Sequence, residues 1–69
     1  MKTQLLIIKS GRDYIRVKDN RFIRCSLDKA SVFPMDQVDH VKSLAARLKQ
    51  SEYIDVCIRK LVLTEEDFQ

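Results

Sequence analysis

The order of apolar and polar positions predicts three strands in the first third of the chain. Leu5–Ile8 is apolar on both faces, which is typical of a strand with neighbours on both sides. Tyr14–Val17 and Arg21–Cys25 alternate with period two, and Asp19-Asn20 between them tolerates the positive φ angles of a tight turn. A two-residue turn fixes the register of this hairpin. The expected pairs are Lys18 with Arg21, Val17 with Phe22, Arg16 with Ile23, Ile15 with Arg24 and Tyr14 with Cys25.

The second half of the chain predicts one helix followed by one long strand. From Met35 to Gln50, apolar residues recur every three or four positions and gather on one helix face. That face consists of Met35, Val38, Val41, Leu44, Ala45 and Leu48. Residues 31–33 form a short extended piece before Pro34, and Ile54–Leu63 is a strand rich in β-branched residues. Its apolar positions change phase, which indicates a bulge near Arg59-Lys60 or a final part covered on both faces.

These elements assemble into an α+β fold of the order β-β-β-α-β, in which one helix packs on one face of a small, mainly antiparallel sheet. We expect the strand order 3-2-1-4, with the last strand beside the first and parallel to it. Ser26–Ala30 is too short for a stable helix and forms at most a single turn capped by Ser26. Residues 1–64 are predicted to form one domain, and residues 65–69 an acidic, frayed tail.

Composition limits the class of protein. A chain of 69 residues, 45% of them hydrophobic, forms one domain with a small core. The apolar run before Lys9 is only four residues long, shorter than a signal peptide or a membrane helix, so we expect a bacterial-type cytoplasmic protein without a membrane partner. Cys25 and Cys57 are then expected to be reduced thiols that act as small hydrophobic residues within their strands.

One arrangement of residues resembles a known group. Tyr14-Ile15 is followed by Leu27, Ala30 and Phe33 in a Leu-x-x-Ala-x-x-Phe pattern, then by an amphipathic helix and an aliphatic last strand, Ile58–Leu63. This pattern is similar to that of small uncharacterised proteins of bacteriophages and mobile elements. The resemblance covers nearly the whole chain and implies a fold and a genomic setting, but no mechanism.

The residues available for catalysis are few. His40 is the only histidine, and Asp36 lies one helical turn before it, where a carboxylate can orient an imidazole. No nucleophile has a place near this pair, and there is no glycine-rich loop to hold a phosphate. The single cysteines fit no metal-ligand spacing. We therefore expect a protein that is not an enzyme and has no catalytic residues, metal site or cofactor.

Charge divides the chain into two unequal halves. Residues 1–30 carry eight basic and three acidic side chains, whereas residues 31–69 carry five basic and seven acidic ones, within a net charge of +3. In the expected register one hairpin face carries four basic residues and an aromatic one. This set consists of Arg12, Tyr14, Arg16, Lys18 and Arg21. Basic side chains interleaved with an aromatic ring on an open sheet can hold phosphates and stack a base.

Two functions remain open for a small domain of this kind. The leading hypothesis is a protein interaction or self-association module, because the acidic tail of one copy can meet the basic hairpin of another, and Ile23, Cys25 and Tyr14 can form an apolar patch. The alternative is a weak nucleic-acid-binding module that uses the basic hairpin face. Arg24 falls on the apolar side of the hairpin. Either its side chain reaches solvent at the edge of the sheet or pairs with an acid, or the predicted register is wrong.

Overall fold

Five strands and one α-helix make up the fold in the computed structural model, which describes residues 2–68. The strands are β1 (Lys2–Ser10), β2 (Asp13–Lys18), β3 (Arg21–Cys25), β4 (Phe33–Pro34) and β5 (Val56–Thr64), and the helix is α1 (Val38–Lys49). Single 3₁₀ turns cover Leu27–Lys29 and Met35–Gln37. The expected α+β class, with one helix on an antiparallel sheet, is confirmed.

Strand β1 lies in the middle of the sheet. The sheet runs β3-β2-β1-β4, and β5 pairs with β1 along the full length of both strands, from Lys2 opposite Thr64 to Ser10 opposite Val56. Because β5 occupies one edge of β1 completely, β2 and β4 share its other edge. The expected order 3-2-1-4, with the long last strand beside the first, is confirmed. The central position explains why Leu6, Ile7 and Ile8 are all buried.

The expected direction of the last strand is wrong, since β5 runs antiparallel to β1. The reason is β4, which pairs antiparallel with β1 through Leu5 opposite Pro34 and Leu6 opposite Phe33. β4 and β5 are therefore parallel to each other, and α1 is the connection between them. A helix returns the chain to the level where the preceding strand began, so the direction of β5 follows β4 and not β3.

The hairpin of β2 and β3 has the predicted register in all five pairs, from Tyr14 opposite Cys25 to Lys18 opposite Arg21. Asp19 and Asn20 adopt φ angles of 52° and 60°, as the two central residues of a type I′ turn do. This turn matches the right-handed twist of the strands, so the local sequence was sufficient to fix which side chains share a face.

Ser31 fills the space where β2 separates from β1. The two strands pair only at Lys9 with Tyr14 and at Ser10 with Asp13. Beyond that point the Ser31 N–H donates to the Ile15 carbonyl at 3.2 Å, and the Ser31 Oγ accepts from the Val17 N–H at 2.8 Å. The inner edge of β2 is thus satisfied by one residue, and β4 continues the pairing along β1.

The core lies between α1 and one face of the sheet. It contains Leu6, Ile8, Ile15, Val41, Leu44 and Leu48, with Val17, Phe22, Phe33, Tyr53, Val56 and Ile58 packed around it. The helix contributes the predicted residues from Val41 to Leu48, but Met35 and Val38 are exposed. Met35 leaves the predicted stripe because residues 35–37 form a 3₁₀ turn, whose side chains do not follow the α-helical spacing. Val38 is the first residue of α1 and lies at the exposed end of the stripe.

Strand β5 contains no bulge. Its pairing with β1 is one-to-one over all nine residues, so the bulge expected near Arg59-Lys60 is wrong. The alternative, coverage on both faces, is also wrong because Val62 and Leu63 are 46% and 47% exposed. The phase change in the sequence reflects a strand that extends past the core. Ile54, predicted as its first residue, precedes the strand and is exposed.

The ends of the elements show two further details. Ser26 precedes the Leu27–Lys29 turn, but the capping bond expected from it is absent: its hydroxyl donates to the Asp28 carboxylate and not to the turn's backbone. Residues 65–68 follow β5 without regular secondary structure. The predicted boundaries also include Met1 and Gln69, which lie outside the described residues. No helix in the described range 2–68 is long and apolar enough to cross a membrane.

Candidate nucleic-acid interface

The sheet face opposite α1, called the open face below, carries positive charge only. Because side chains alternate along a strand, the open face holds the odd-numbered residues of β1, β3 and β5 and the even-numbered residues of β2. The charged residues at these positions are Lys9, Arg16, Lys18, Arg21 and Arg59. No aspartate or glutamate occupies a strand position on the open face. This uniform sign distinguishes the face from the rest of the molecule.

Four of the five residues predicted for the basic face do lie together on it. Tyr14, Arg16 and Lys18 follow one another along β2, and Arg21 lies directly opposite Lys18 on β3. Arg12 is in the turn before β2, so it extends this row at the far end from Arg21 rather than sharing a strand face. At about 3.4 Å per residue, the row runs about 20 Å from Arg12 to Lys18.

The sequence reasoning missed Lys9 and Arg59, which join the open face from β1 and β5. Lys9 is opposite Tyr14, and its Nζ lies 4.9 Å from the centre of the Tyr14 ring. This cation–π contact places the Lys9 ammonium group against the Tyr14 ring on the open face. Neither residue gives a signal in its local sequence, because only the pairing of separate strands shows that they belong to this face.

Like charges meet at the tip of the hairpin. Lys18 and Arg21 are both exposed and directly opposite each other, an arrangement that destabilises an antiparallel pair. An open depression at this tip is lined by Lys18, Asp19, Arg21 and Ile23. Asp19 brings one carboxylate to the same depression, so the tip holds two cations and one anion. An anion bound between Lys18 and Arg21 would reduce their mutual repulsion.

The opposite face of the hairpin resolves the position of Arg24. Its Nε lies 3.9 Å from the Asp13 Oδ2, which is the one ion pair between side chains in residues 2–68, and its Cζ lies 4.3 Å from the centre of the Tyr53 ring. Arg24 therefore pairs with an acid and stacks on an aromatic ring at the edge of the core, and the predicted register stands. The exposed ion pair itself adds little stability.

Tyr53 was given no role from the sequence, yet it ties the loop after α1 to β3. Its hydroxyl donates to the Phe22 carbonyl at 3.0 Å, and its ring meets that of Phe22 edge to face at 6.2 Å. Arg47 from α1 covers Phe22 with its Cζ 5.1 Å from the ring centre. This cluster closes the core at one end and leaves the open face unobstructed.

The remaining candidates form no second site in the described part of the chain. The His40 ring packs edge to face on Phe33 at 6.0 Å, and no hydrogen bond joins it to Asp36 within residues 2–68. Cys25 is half-buried and its Sγ lies 3.6 Å from the Tyr14 carbonyl, whereas Cys57 is exposed, against the expectation that both act as small hydrophobic residues. No cluster of three potential metal ligands occurs among the residues described.

The patch of Ile23, Cys25 and Tyr14 lies on the open face, but only Ile23 is largely exposed, at 43%.

Comparisons with protein-family models, with curated proteins and with solved structures found no match to this chain.

Proposed function

We propose that the protein binds single-stranded nucleic acid on the open face. The observation that carries the proposal is the charge of that face: five cations and no carboxylate at its strand positions. A surface of one sign with cations spaced along a strand attracts a phosphate backbone over its whole length. Arg16 and Lys18 project about 7 Å apart on the same face and suit successive contacts along such a backbone.

Tyr14 supplies the contact for a base. Aromatic rings on open sheets stack bases without strong sequence preference, and each stack contributes about 1–3 kcal/mol. In the proposed complex the flexible Lys9 side chain moves from the Tyr14 ring to a phosphate, and a base takes its place. The cations and the ring are adjacent, so phosphate and base contacts come from one nucleotide and its neighbours.

A single strand suits this surface better than a duplex. A duplex is read in the major groove by a helix or by a two-stranded ribbon. The β2–β3 hairpin is such a ribbon, but the aromatic ring among its cations, Tyr14, can stack only on an unpaired base. The helix of this protein packs its apolar side on the sheet, and its outer side mixes acidic and basic residues, with Asp39 beside Lys42 and Lys49 farther along. The flat cationic sheet is the better fit to unpaired nucleotides.

The test is a titration of labelled single-stranded and duplex oligonucleotides of equal length at several salt concentrations. The double variant Arg16→Ala/Lys18→Ala removes two cations from the open face, and the control Lys42→Ala/Lys49→Ala removes two from the helix. If both cations contact phosphates, the first variant lowers the slope of log K against log salt by about 1.4 for a single strand, and the control leaves it unchanged.

Three outcomes would overturn the proposal. The first is a wild-type protein that binds no oligonucleotide even at low salt. The second is an equal loss of affinity in the two double variants, which would show a response to net charge alone. Tighter binding of the duplex than of the single strand would exclude the single-stranded ligand.

A further inference from the structure

Strand β5 leaves a long edge of the sheet unpaired. It has nine residues, Val56–Thr64, and pairs on one side with β1, while no described residue pairs with its outer side. The backbone N–H and C=O groups of that outer side are therefore available to another strand. The strand contains no proline and no bulge, two of the features that prevent edge-to-edge pairing, and its charged residues, Arg59 and Lys60, lie together before the apolar end.

The side chains at the end of β5 are those of an interface. Val62 and Leu63 point to opposite faces of the sheet and each is nearly half exposed. Phe68, four residues after Thr64, is fully exposed. The other outer strand, β3, has only five residues and carries Arg21 and Arg24 beside a single largely exposed apolar residue, Ile23. Only the β5 edge combines length with exposed apolar residues.

The charges along this edge have an order that is complementary to itself. Arg59-Lys60 precedes the apolar stretch Leu61–Leu63, and Glu65-Glu66-Asp67 follows it after one threonine. In an antiparallel pair of two copies with Leu63 opposite Leu63, Lys60 is opposite Glu66 and Arg59 is opposite Asp67. Each pair occurs twice because the two copies are related by a two-fold axis.

Other registers are less favourable. Centring the pair on Lys60 places two lysines opposite each other, which repels. Centring it on Leu61 places both Arg59 and Lys60 opposite apolar residues. Centring it on Val62 pairs Arg59 with Glu65 and leaves Lys60 opposite Thr64. Charge therefore selects the register centred on Leu63, which also places Phe68 opposite Ile58.

We propose that a second copy of this chain binds the β5 edge, with the two strands antiparallel, centred on Leu63 and extended through residues 65–68. The partner is the chain itself, and the acidic segment meets Arg59-Lys60 of the other copy rather than its hairpin. The two sheets become one continuous sheet in which both open faces lie on the same side. The inference stands independently of nucleic-acid binding.

A charge-exchange experiment tests the pairing. Arg59→Asp/Lys60→Glu makes all the charged residues of residues 59–67 acidic, and Glu66→Lys/Asp67→Arg makes all of them basic except Glu65. We expect sedimentation analysis of the full chain to show that wild type dimerises, that each double variant alone is monomeric because like charges meet, and that the two variants mixed together form a heterodimer. All four positions are exposed, so folding is retained.

A cross-link tests the register. In a Cys25→Ser/Cys57→Ser background, Leu63→Cys places two thiols directly opposite each other, within the Cα separation of about 4.4–6.8 Å that a disulfide requires. Leu61→Cys is the control, because its partner is displaced by four residues, about 13 Å. We expect mild oxidation to give a covalent dimer with the first variant only.

The inference is overturned by a wild-type protein that stays monomeric at millimolar concentration, by double variants that dimerise as well as wild type, or by a mixture of the two variants that remains monomeric. Cross-linking at position 61 in place of 63 would overturn the register.

Discussion

The two faces of the sheet are built from the same strands but meet opposite physical requirements. On the helix face, Ile8 and Ile15 are buried under α1, and Arg24 has both an acid and an aromatic partner. On the open face, five cations share one surface without an acid at any strand position. One face holds the packed core, while the other carries five cations with no acid at a strand position to offset their mutual repulsion.

The same contrast appears between the two edges. The β3 edge is five residues long with a cation in its first and fourth positions, whereas the β5 edge is nine residues long and places its two cations before an apolar end. One face of this small sheet is thus used for the core, and the open face and the β5 edge are the surfaces on which the two proposals rest.

The largest expected effect is a difference in the loss of stability between two isoleucine-to-alanine variants of the same hairpin. Ile15 is 1% exposed on the helix face, and Ile23 is 43% exposed on the open face. Ile15→Ala should lower the free energy of unfolding by about 2–5 kcal/mol because it leaves a cavity in the core. Ile23→Ala should lower it by less than about 1 kcal/mol. Urea denaturation at a fixed protein concentration measures both, and equal losses would show that the open face is also a packed core.

The turn between β2 and β3 decides which side chains reach each face. Asn20→Val places a β-branched residue at φ 60° and should destabilise the protein by about 1–2 kcal/mol. Asn20→Gly, which accepts this φ without strain, is the control and should leave stability close to wild type. Thermal and urea unfolding check the pair. A tolerated valine would contradict the turn conformation.

Two tyrosines distinguish the faces through their hydroxyl groups. Tyr53→Phe removes the hydrogen bond to the Phe22 carbonyl and should lower the free energy of unfolding by about 1 kcal/mol. Tyr14 lies on the open face, where its hydroxyl makes no hydrogen bond within residues 2–68, so Tyr14→Phe should change stability little. The same urea measurement applies. A larger loss for Tyr14→Phe than for Tyr53→Phe would reverse the assignment.

The smallest expected effect is a gain in stability, whereas the preceding variants lose stability. Lys18→Thr removes a like-charge pair with Arg21 and introduces a residue suited to strands. We expect the free energy of unfolding to rise by about 0.2–1 kcal/mol at low salt, while affinity for a single-stranded oligonucleotide falls. Calorimetry and the oligonucleotide titration check the two changes. Loss of stability in this variant would show that Lys18 supports the fold rather than a ligand.

Local patterns predicted the hairpin and helix well and the ends of the elements less well. The Asp19-Asn20 turn and the alternation on both sides fixed all five pairs, since each depends on neighbours in sequence. Met35 and Val38 kept the helical spacing but lie in or beside a 3₁₀ turn, which periodicity cannot distinguish from the start of an α-helix.

Only the part of the candidate site that depends on neighbours in sequence was predicted. Tyr14, Arg16, Lys18 and Arg21 belong to one hairpin, so its register placed them together. Lys9 and Arg59 come from strands that are distant in sequence, and only long-range pairing brings them to the open face.

The sequence by itself determined the α+β class, the central strand, the hairpin register and the apolar stripe of the helix, because these follow from periodicities of two and about 3.6 and from one turn. Tertiary structure alone decided the direction of β5. Phe33-Pro34 is too short to be identified as a strand from its pattern, yet by pairing with Leu5 and Leu6 it sets the direction in which the chain leaves and re-enters the sheet. That long-range pairing also left the basic face open and the β5 edge unpaired.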